Sequence, residues 1–234
     1  MTDAVRYERD GAAAVIQLDD GKANAFSFEL LDAVSSALDR AEKEARAVAL
    51  LGRPGRFSGG FDLAVMRGGD AQALGRLVQA GGRLALRLYE FPVPVVIGCT
   101  GHALAMGAVL LLSGDLRVGA LGAYKIGLNE VAIGLTLPTF ATELARERLT
   151  PRHRQRAAVL AEVYDPPGAV EAGFLDEAVA ASELEARVRA EAARLAELHP
   201  TAHRHTKRRL RSEALGALRS SLEEDLSGIG MVGS

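Results

Sequence analysis

Residues 95–113 read VVIGCTGHALAMGAVLLLS, and this stretch decides the fold. A strand is expected over 93–99, because its residues are apolar enough to be covered on both faces, while Pro92 and Pro94 suit a strand entry better than a central ladder. A glycine-punctuated turn over 100–105 feeds a helix over roughly 106–113. That helix carries Ala108, Val109, Leu110, Leu111 and Leu112 and is apolar nearly all round, so it must be buried. A buried helix whose first N–H groups open into a cleft sets its positive dipole end against whatever fills the cleft. A further strand is expected over 115–119.

The same unit recurs on either side. A β-prone stretch over 12–18 holding Val15 and Ile16 reads as the first strand, closed by Asp19-Asp20-Gly21. Ser27 can cap the helix that follows, Glu29 lies in its positive first turn, and Leu30, Leu31, Val34, Leu38 and Ala41 recur at helical spacing. A strand over 47–51, a glycine-rich loop over 52–60 and a long helical pattern with Leu74, Leu77, Leu84, Leu88 and Phe91 make the next unit. Beyond Pro138 the pattern is helical over 140–148, 151–161, 183–198 and 201–226, with a turn at Asp165-Pro166-Pro167-Gly168. The expectation is an α/β fold with a helical second half, a core over 1–200 and a C-terminal helical extension over 201–234 within one globular unit. The polar tail 227–234 is expected to lack regular structure.

Composition narrows the class. With 234 residues at 48% hydrophobic content the chain can bury a full core. The 28 Lys plus Arg nearly cancel the 30 Asp plus Glu, so no global field points to nucleic acid or an anionic membrane. The basic run over 203–211 is followed by Glu213, Glu223, Glu224 and Asp225, and it lacks interleaved aromatics for base stacking. The single cysteine, Cys99, excludes an internal disulfide and a cysteine-based zinc cage, and reads as a small buried hydrophobe. His203 and His205 are two apart and cannot face one metal from a helix. No metal is expected. No signal core or membrane-length apolar run is visible, so the expected location is cytoplasmic.

Glu130 is the only carboxylate in the apolar run 126–137, downstream of two glycine turns, Ser58-Gly59-Gly60-Phe61 and Leu104-Ala105-Met106-Gly107. Alone it would read as a solvated surface acid. Beside turns whose free backbone N–H groups can hold an oxygen that is becoming negative, it suggests proton abstraction next to a carbonyl. Its neighbours Val131, Ala132 and Ile133 are expected to raise its pKa toward neutrality. Asp62 reads as a helix cap and Asp115 as a structural acceptor, while Tyr124 reads as a core tyrosine with a satisfied hydroxyl.

Phe57-Ser58-Gly59-Gly60-Phe61-Asp62-Leu63, Gly101-His102-Ala103-Leu104-Ala105-Met106-Gly107 and Ile126-Gly127-Leu128-Asn129-Glu130, followed by Gly134 and Pro138, together resemble the ordered motifs of the crotonase, or enoyl-CoA hydratase/isomerase, family. The resemblance spans roughly residues 5–210. It implies a crotonase-like spiral of repeated ββα units, trimers or hexamers, and acyl-CoA thioesters of fatty-acid metabolism as substrates with no separate cofactor. Carried over residue by residue, it implies an oxyanion hole from the backbone N–H groups of Phe61 and Met106. Substrate contacts are implied at Lys22, Ala23, Ala25, Gly60, Asp62, Leu63 and Gly107. Lys207 is the nearest match to a C-terminal basic residue that approaches the CoA phosphates, often across a subunit boundary, and His102 stands where an aromatic packing residue is usual.

Hydratases of the family use two glutamates, and the position of the first is Val109 here. Adding water needs a group to hold and activate it, which valine cannot do. Moving a double bond from the 3,4 to the 2,3 position needs one proton carrier. The pattern therefore looks like that of the Δ3,Δ2-enoyl-CoA isomerases, with Glu130 as the shuttle. Enoyl-CoA hydration is the alternative, and a non-catalytic acyl-CoA-binding protein is the alternative of another class.

Overall fold

A computed structural model describes residues 4–228. The chain opens with an antiparallel hairpin, β1 (Val5–Asp10) and β2 (Ala13–Leu18), that pairs Val5 with Leu18 and Asp10 with Ala13. The first strand is therefore β1, ahead of the stretch expected to be first. Its outward charges Arg6 and Glu8 belong to a sheet edge, where charge discourages pairing with another chain.

Helix α1 (Phe28–Glu44) follows, with the Ser27 hydroxyl accepting from the Leu30 N–H at 3.2 Å and Leu30, Leu31, Val34, Ala37, Leu38 and Ala41 buried. Three units then repeat one plan: a strand of a large sheet, a short strand of a small sheet, and helix. They are β3 (Ala47–Leu51), β4 (Gly55–Ser58), α2 (Leu63–Arg67) and α3 (Ala71–Tyr89); β5 (Val95–Cys99), β6 (Gly101–Leu104) and α4 (Met106–Ser113); and β7 (Leu116–Ala120), β8 (Ile126–Gly127), a 3-10 turn (Val131–Ile133) and α5 (Thr139–Arg148). The chain ends through α6 (Pro151–Ala158), α7 (Pro166–Ala172), β9 (Glu177–Val179), α8 (Leu184–Ala196), α9 (Pro200–Leu210) and α10 (Ser212–Gly228). The three repeats form the spiral of strand-strand-helix units that the resemblance implies.

The large sheet has the order β1-β2-β3-β5-β7-β9, parallel from β2 onward, and the small one is β4-β6-β8, parallel throughout. Alternation along β3 sends Val48 and Leu50 into the main core with α1, α3 and α4, and Ala47, Ala49 and Leu51 into a second core beneath α8. Leu184, Val188, Ala192 and Ala196 of α8 close that second face. Covered faces on both sides are what the uniformly apolar β3 and β5 require. Leu215, Leu218 and Leu222 of α10 join the main core, where α10 lies on α3 and α5.

Several local expectations change. The segments read as loop and turn at 52–60 and 100–105 contain β4 and β6, each four residues long. The turn at 165–168 is the start of α7: the Asp165 carboxylate accepts from the Gly168 N–H, and Pro166 and Pro167 occupy positions where no donor is needed. The single helix read over 201–226 is two, with Arg211 at the break. Of the tail read as irregular, positions 227 and 228 belong to α10, and 229–234 lie outside the described residues.

Candidate active site

The small parallel sheet assembles the site. Its register sets Ser58 beside Ala103, Ala103 beside Ile126 and Leu104 beside Gly127. Three parallel strands so aligned release their chains at one edge, with neighbours about 4.8 Å apart. The three segments leaving that edge are Gly59-Gly60-Phe61, Ala105-Met106-Gly107 and Leu128-Asn129-Glu130. The Ala105 N–H donates to the Gly127 carbonyl at 3.1 Å, which ties the second turn to the acid-bearing segment.

The first turn presents the Phe61 N–H outward. Phe61 forms a parallel bridge with Phe26, in which the Phe26 N–H donates to Gly60 O at 2.8 Å and the Asp62 N–H to Phe26 O at 3.1 Å. In such a bridge the N–H of the bridged residue itself points away from the partner strand. The turn is braced from behind: the Ser58 hydroxyl donates to Asn24 O at 2.8 Å and accepts from the Gly60 N–H at 3.1 Å. Gly60 sits at φ +100°, a conformation costly to any residue with a Cβ, and a Cβ there would meet Ala105 Cβ at 3.0 Å, Leu104 O at 3.2 Å and Met106 N at 3.6 Å. The residue before Phe61 thus abuts the nitrogen of Met106.

The second turn aims that nitrogen. Ala105 adopts φ +49° and ψ −124° and supplies no capping side chain, while the first bond of α4 runs from the Val109 N–H to Ala105 O at 3.0 Å. Such a backbone costs roughly 1–3 kcal/mol and persists only where its surroundings hold it. A Cβ at Gly107 would stand 2.6 Å from Ser58 O, so the missing side chain lets α4 start directly against the end of β4. Among the described residues neither the Phe61 N–H nor the Met106 N–H has a backbone acceptor. Two free donors, one of them at a helix N-terminus, thus lie on adjoining turns, and N–H groups of this kind can stabilise an anionic oxygen.

Glu130 is 8% exposed, and its Oε2 has no hydrogen-bond partner among the described residues; the neighbouring Asn129 Oδ1 is likewise buried and unpartnered. Burial pushes the Glu130 carboxyl up to about 7 against a hydrogen bond from its own backbone. The expected source of that burial is corrected, because Val131, Ala132 and Ile133 are all exposed, Val131 at 47% and Ile133 at 55%. They form the 3-10 turn that starts after Glu130, whose carbonyl accepts from the Ile133 and Leu135 N–H groups at 3.0 Å each. On α4, Val109 is 1% exposed within the main core, and no residue of that helix is acidic.

A cleft of about 790 Å³ is lined by Lys22, Ala23, Arg53, Pro54, Gly55, Arg56, His102 and Tyr124, at the end of the small sheet where β4 and β6 begin, and it meets the first turn through Ala23; Phe61, Met106 and Glu130 are not among its lining residues. The loop holding Lys22, Ala23 and Ala25 is fixed by Asn24, whose amide donates to Leu18 O and Phe57 O at 3.1 Å, and by the Gly59 N–H, which donates to Ala23 O at 2.8 Å. The His102 Nδ1 accepts from the Lys125 N–H at 3.0 Å, and burial holds its pKa below the usual histidine range. A neutral ring follows, packed edge-on against Tyr124 at 5.5 Å. Arg53, Arg56 and Asn24 escaped the sequence reading, although two arginines inside one glycine-rich loop were the available signal.

The remaining residues singled out in the sequence lie as follows. Asp62 caps α2 by accepting from the Ala64 N–H at 2.8 Å, and Leu63, the first residue of that helix, is 55% exposed. Lys207 is not brought to the cleft. Its ammonium is buried, donating to Asp115 at 2.7 Å and Phe91 O at 3.0 Å, and desolvation draws its pKa down to about 8 despite the Asp115 carboxylate. Within the chain its charge is paired with Asp115, away from the Lys22, Arg53 and Arg56 cleft. Asp115 also accepts from the Val95 N–H at 2.8 Å and pairs with Arg211 at 2.9 Å. Cys99 is buried, its thiol pushed up to about 12. Among the described residues no group of three His, Cys, Asp or Glu side chains could hold a metal ion, and no helix is long and apolar enough to cross a membrane.

A family model described as enoyl-CoA hydratase/isomerase matches residues 8–229. The mitochondrial enoyl-CoA delta isomerase 1 of Rattus norvegicus is 28% identical over 228 residues, covering 95% of this chain and 79% of the relative. A probable enoyl-CoA hydratase of Rhodobacter capsulatus is 31% identical over 198 residues, covering 82% and 75%. The crystal structure of an enoyl-CoA hydratase/isomerase family protein from Pseudomonas syringae superposes with a TM-score of 0.95 at 42% identity, covering 98% of this chain and 99% of that one.

Proposed function

The chain belongs to the enoyl-CoA hydratase/isomerase family, and within it we propose a Δ3,Δ2-enoyl-CoA isomerase that moves the double bond through a thioester enolate with Glu130 as its only proton carrier. The observation that carries this reading is one buried carboxyl, Glu130, with a pKa of about 7 and an Oε2 that has no hydrogen-bond partner among the described residues, in a chain whose helix α4 offers Val109 and no second acid.

In the proposed step the thioester oxygen accepts from the Phe61 and Met106 N–H groups. The ionised Glu130 removes a proton from C2, and the electron pair delocalises into the carbonyl, whose oxygen becomes the oxyanion. The protonated Glu130 then returns the proton to C4 as the electrons flow back, leaving the double bond between C2 and C3. Each donor of such a hole is typically worth about 2.7–4 kcal/mol of transition-state stabilisation. A base with a pKa near the working pH contributes roughly 10²- to 10⁴-fold. Lys22, Arg53 and Arg56 around the cleft suit the phosphates of coenzyme A. Trimeric or hexameric assembly belongs to the same reading and is checked by light scattering.

The test is turnover of 3-enoyl-CoA and of 2-enoyl-CoA by the unmodified chain and by Val109→Glu. Isomerisation by the unmodified chain without efficient hydration supports the proposal. Fast hydration by the unmodified chain favours the hydratase alternative and overturns the one-acid mechanism. Tight binding of both thioesters without turnover favours a non-catalytic acyl-CoA-binding protein.

A further inference from the structure

Helix α3 carries two adjacent glycines in its interior, Gly81 and Gly82, where glycine weakens a helix. Each makes room for something specific. A Cβ on Gly81 would stand 2.5 Å from both Cε1 and Cζ of the Phe61 ring and 3.3 Å from the Met106 methyl. A Cβ on Gly82 would stand 2.5 Å from a methyl of Leu222 on α10 and 2.9 Å from the ring of Phe140 on α5. One glycine thus receives the side chains of the two residues whose N–H groups face the site. The other receives the C-terminal helices.

Phe61 and Met106 come from different turns, 45 positions apart in sequence, yet their side chains end on the same spot of α3. Met106 is 1% exposed, so its side chain is enclosed by the main core. Phe61 is half-buried, and its backbone is held on the opposite side by the bridge to Phe26. The direction of each N–H is then set by a pair of fixed points. For Phe61 these are Phe26 behind the backbone and Gly81 beneath the ring. For Met106 they are the strained Ala105 and, again, Gly81.

We propose that Gly81 is a positioning residue for the oxyanion site: the space left by its absent side chain seats the Phe61 ring and the Met106 methyl, and this shared seat holds the two N–H groups in register with each other. The inference rests on the acyl-CoA reading above. Carbon atoms in contact prefer 3.5–4.0 Å, so a methyl at Gly81 displaces the tip of the Phe61 ring by about 1 Å; the part of that shift carried to the N–H groups sets the loss, for which the roughly 10²-fold cost of a full 1 Å misplacement is the upper bound.

The experiment compares Gly81→Ala, Gly82→Ala and the double variant Gly81→Ala/Phe61→Leu in two assays on folded, full-length protein. The first is isomerisation of 3-enoyl-CoA, with kcat and KM separated. The second is the near-ultraviolet absorbance of the enolate of bound acetoacetyl-CoA, which reports stabilisation of an oxyanion without any turnover. Gly81→Ala is expected to lower kcat by more than about threefold and up to about 10²-fold, with KM little changed and a weaker enolate signal, while the double variant recovers most of the lost rate and signal. Gly82→Ala, which presses on α5 and α10 with a similar overlap, is expected to lower the unfolding midpoint and keep kcat within about threefold. A Gly81→Ala protein with kcat and enolate signal within about threefold of the unmodified chain overturns the proposal. Equal losses in Gly81→Ala and Gly82→Ala with no recovery in the double variant overturn it too, since they describe a merely structural role. If the unmodified chain isomerises nothing but ionises bound acetoacetyl-CoA, the isomerase reading falls and the enolate signal still decides the role of Gly81.

Discussion

Replacing Glu130 by glutamine is expected to change how stability depends on pH, because the fold holds this carboxyl where its charged form is disfavoured. Below pH 4.5, the ordinary value, the group is protonated in the folded and unfolded chain alike, and it adds no pH-linked penalty. Between 4.5 and about 7 the unfolded chain has lost the proton while the folded one retains it, so stability falls as pH rises. Above about 7 both states are ionised and the deficit is constant. A rise from 4.5 to about 7, at ~1.36 kcal/mol per pKa unit, makes that deficit ~3 kcal/mol. This is a large share of the 5–15 kcal/mol that typically separates folded from unfolded domains. Glutamine does not titrate, so the deficit is absent in Glu130→Gln. The amide brings its own buried polar atoms, so the quantity to follow is the change with pH and not the absolute difference. Urea unfolding of both proteins at one protein concentration, from pH 4 to pH 8.5, should show the variant gaining about 3 kcal/mol relative to the unmodified chain across that range. Parallel stability curves would refute the reasoning, since they would mean that Glu130 ionises in the fold as readily as in water.

The same group sets the rate profile: kcat/KM for isomerisation should rise about tenfold per pH unit below about 7 and level off above it, and a profile flat from pH 5 to 8 contradicts a carboxylate base. Asp115→Ala removes the partner shared by Lys207, Arg211 and the Val95 N–H, leaving two buried cations uncompensated. It should cost about 3–5 kcal/mol in urea unfolding, whereas Lys207→Met should leave KM for the thioester unchanged; a KM raised tenfold would return Lys207 to the CoA site. Arg56→Ala at the cleft should raise KM severalfold with kcat retained, and the effect should shrink in high salt; equal KM values at low salt would remove Arg56 from the binding surface.

The long, strongly patterned elements were readable before the structure. Helix α1 shows its buried face at helical spacing, β3 and β5 are apolar at every position, and α4 is apolar all round, which leaves few ways to bury them. The short strands were not readable. β4 and β6 have four residues each, β8 two and β9 three, and none has enough positions to display a period. β1 was obscured by the charges that suit an edge. The parts of the site announced themselves through glycine, because backbone donors beside a close-packed helix start need residues without side chains. Their surroundings did not. Glu130 is buried although its sequence neighbours Val131 and Ile133 face solvent, so its raised pKa comes from burial that those neighbours do not supply. The pairing of Lys207 with Asp115, 92 positions away, has no local signature either. The clearance between Gly81 and the Phe61 ring joins residues twenty positions apart on separate elements, and no local pattern records it.

The account turns on a single proton carrier, and the most direct measurement is the single-turnover rate of 3-enoyl-CoA isomerisation by Glu130→Gln with its affinity for the thioester determined alongside. With the amide donors untouched and the carrier gone, affinity should stay within a few-fold of the unmodified chain while the rate falls at least about 10²-fold, in line with the 10²- to 10⁴-fold usual for such groups. A variant that binds normally and retains more than about a tenth of the rate would contradict the mechanism.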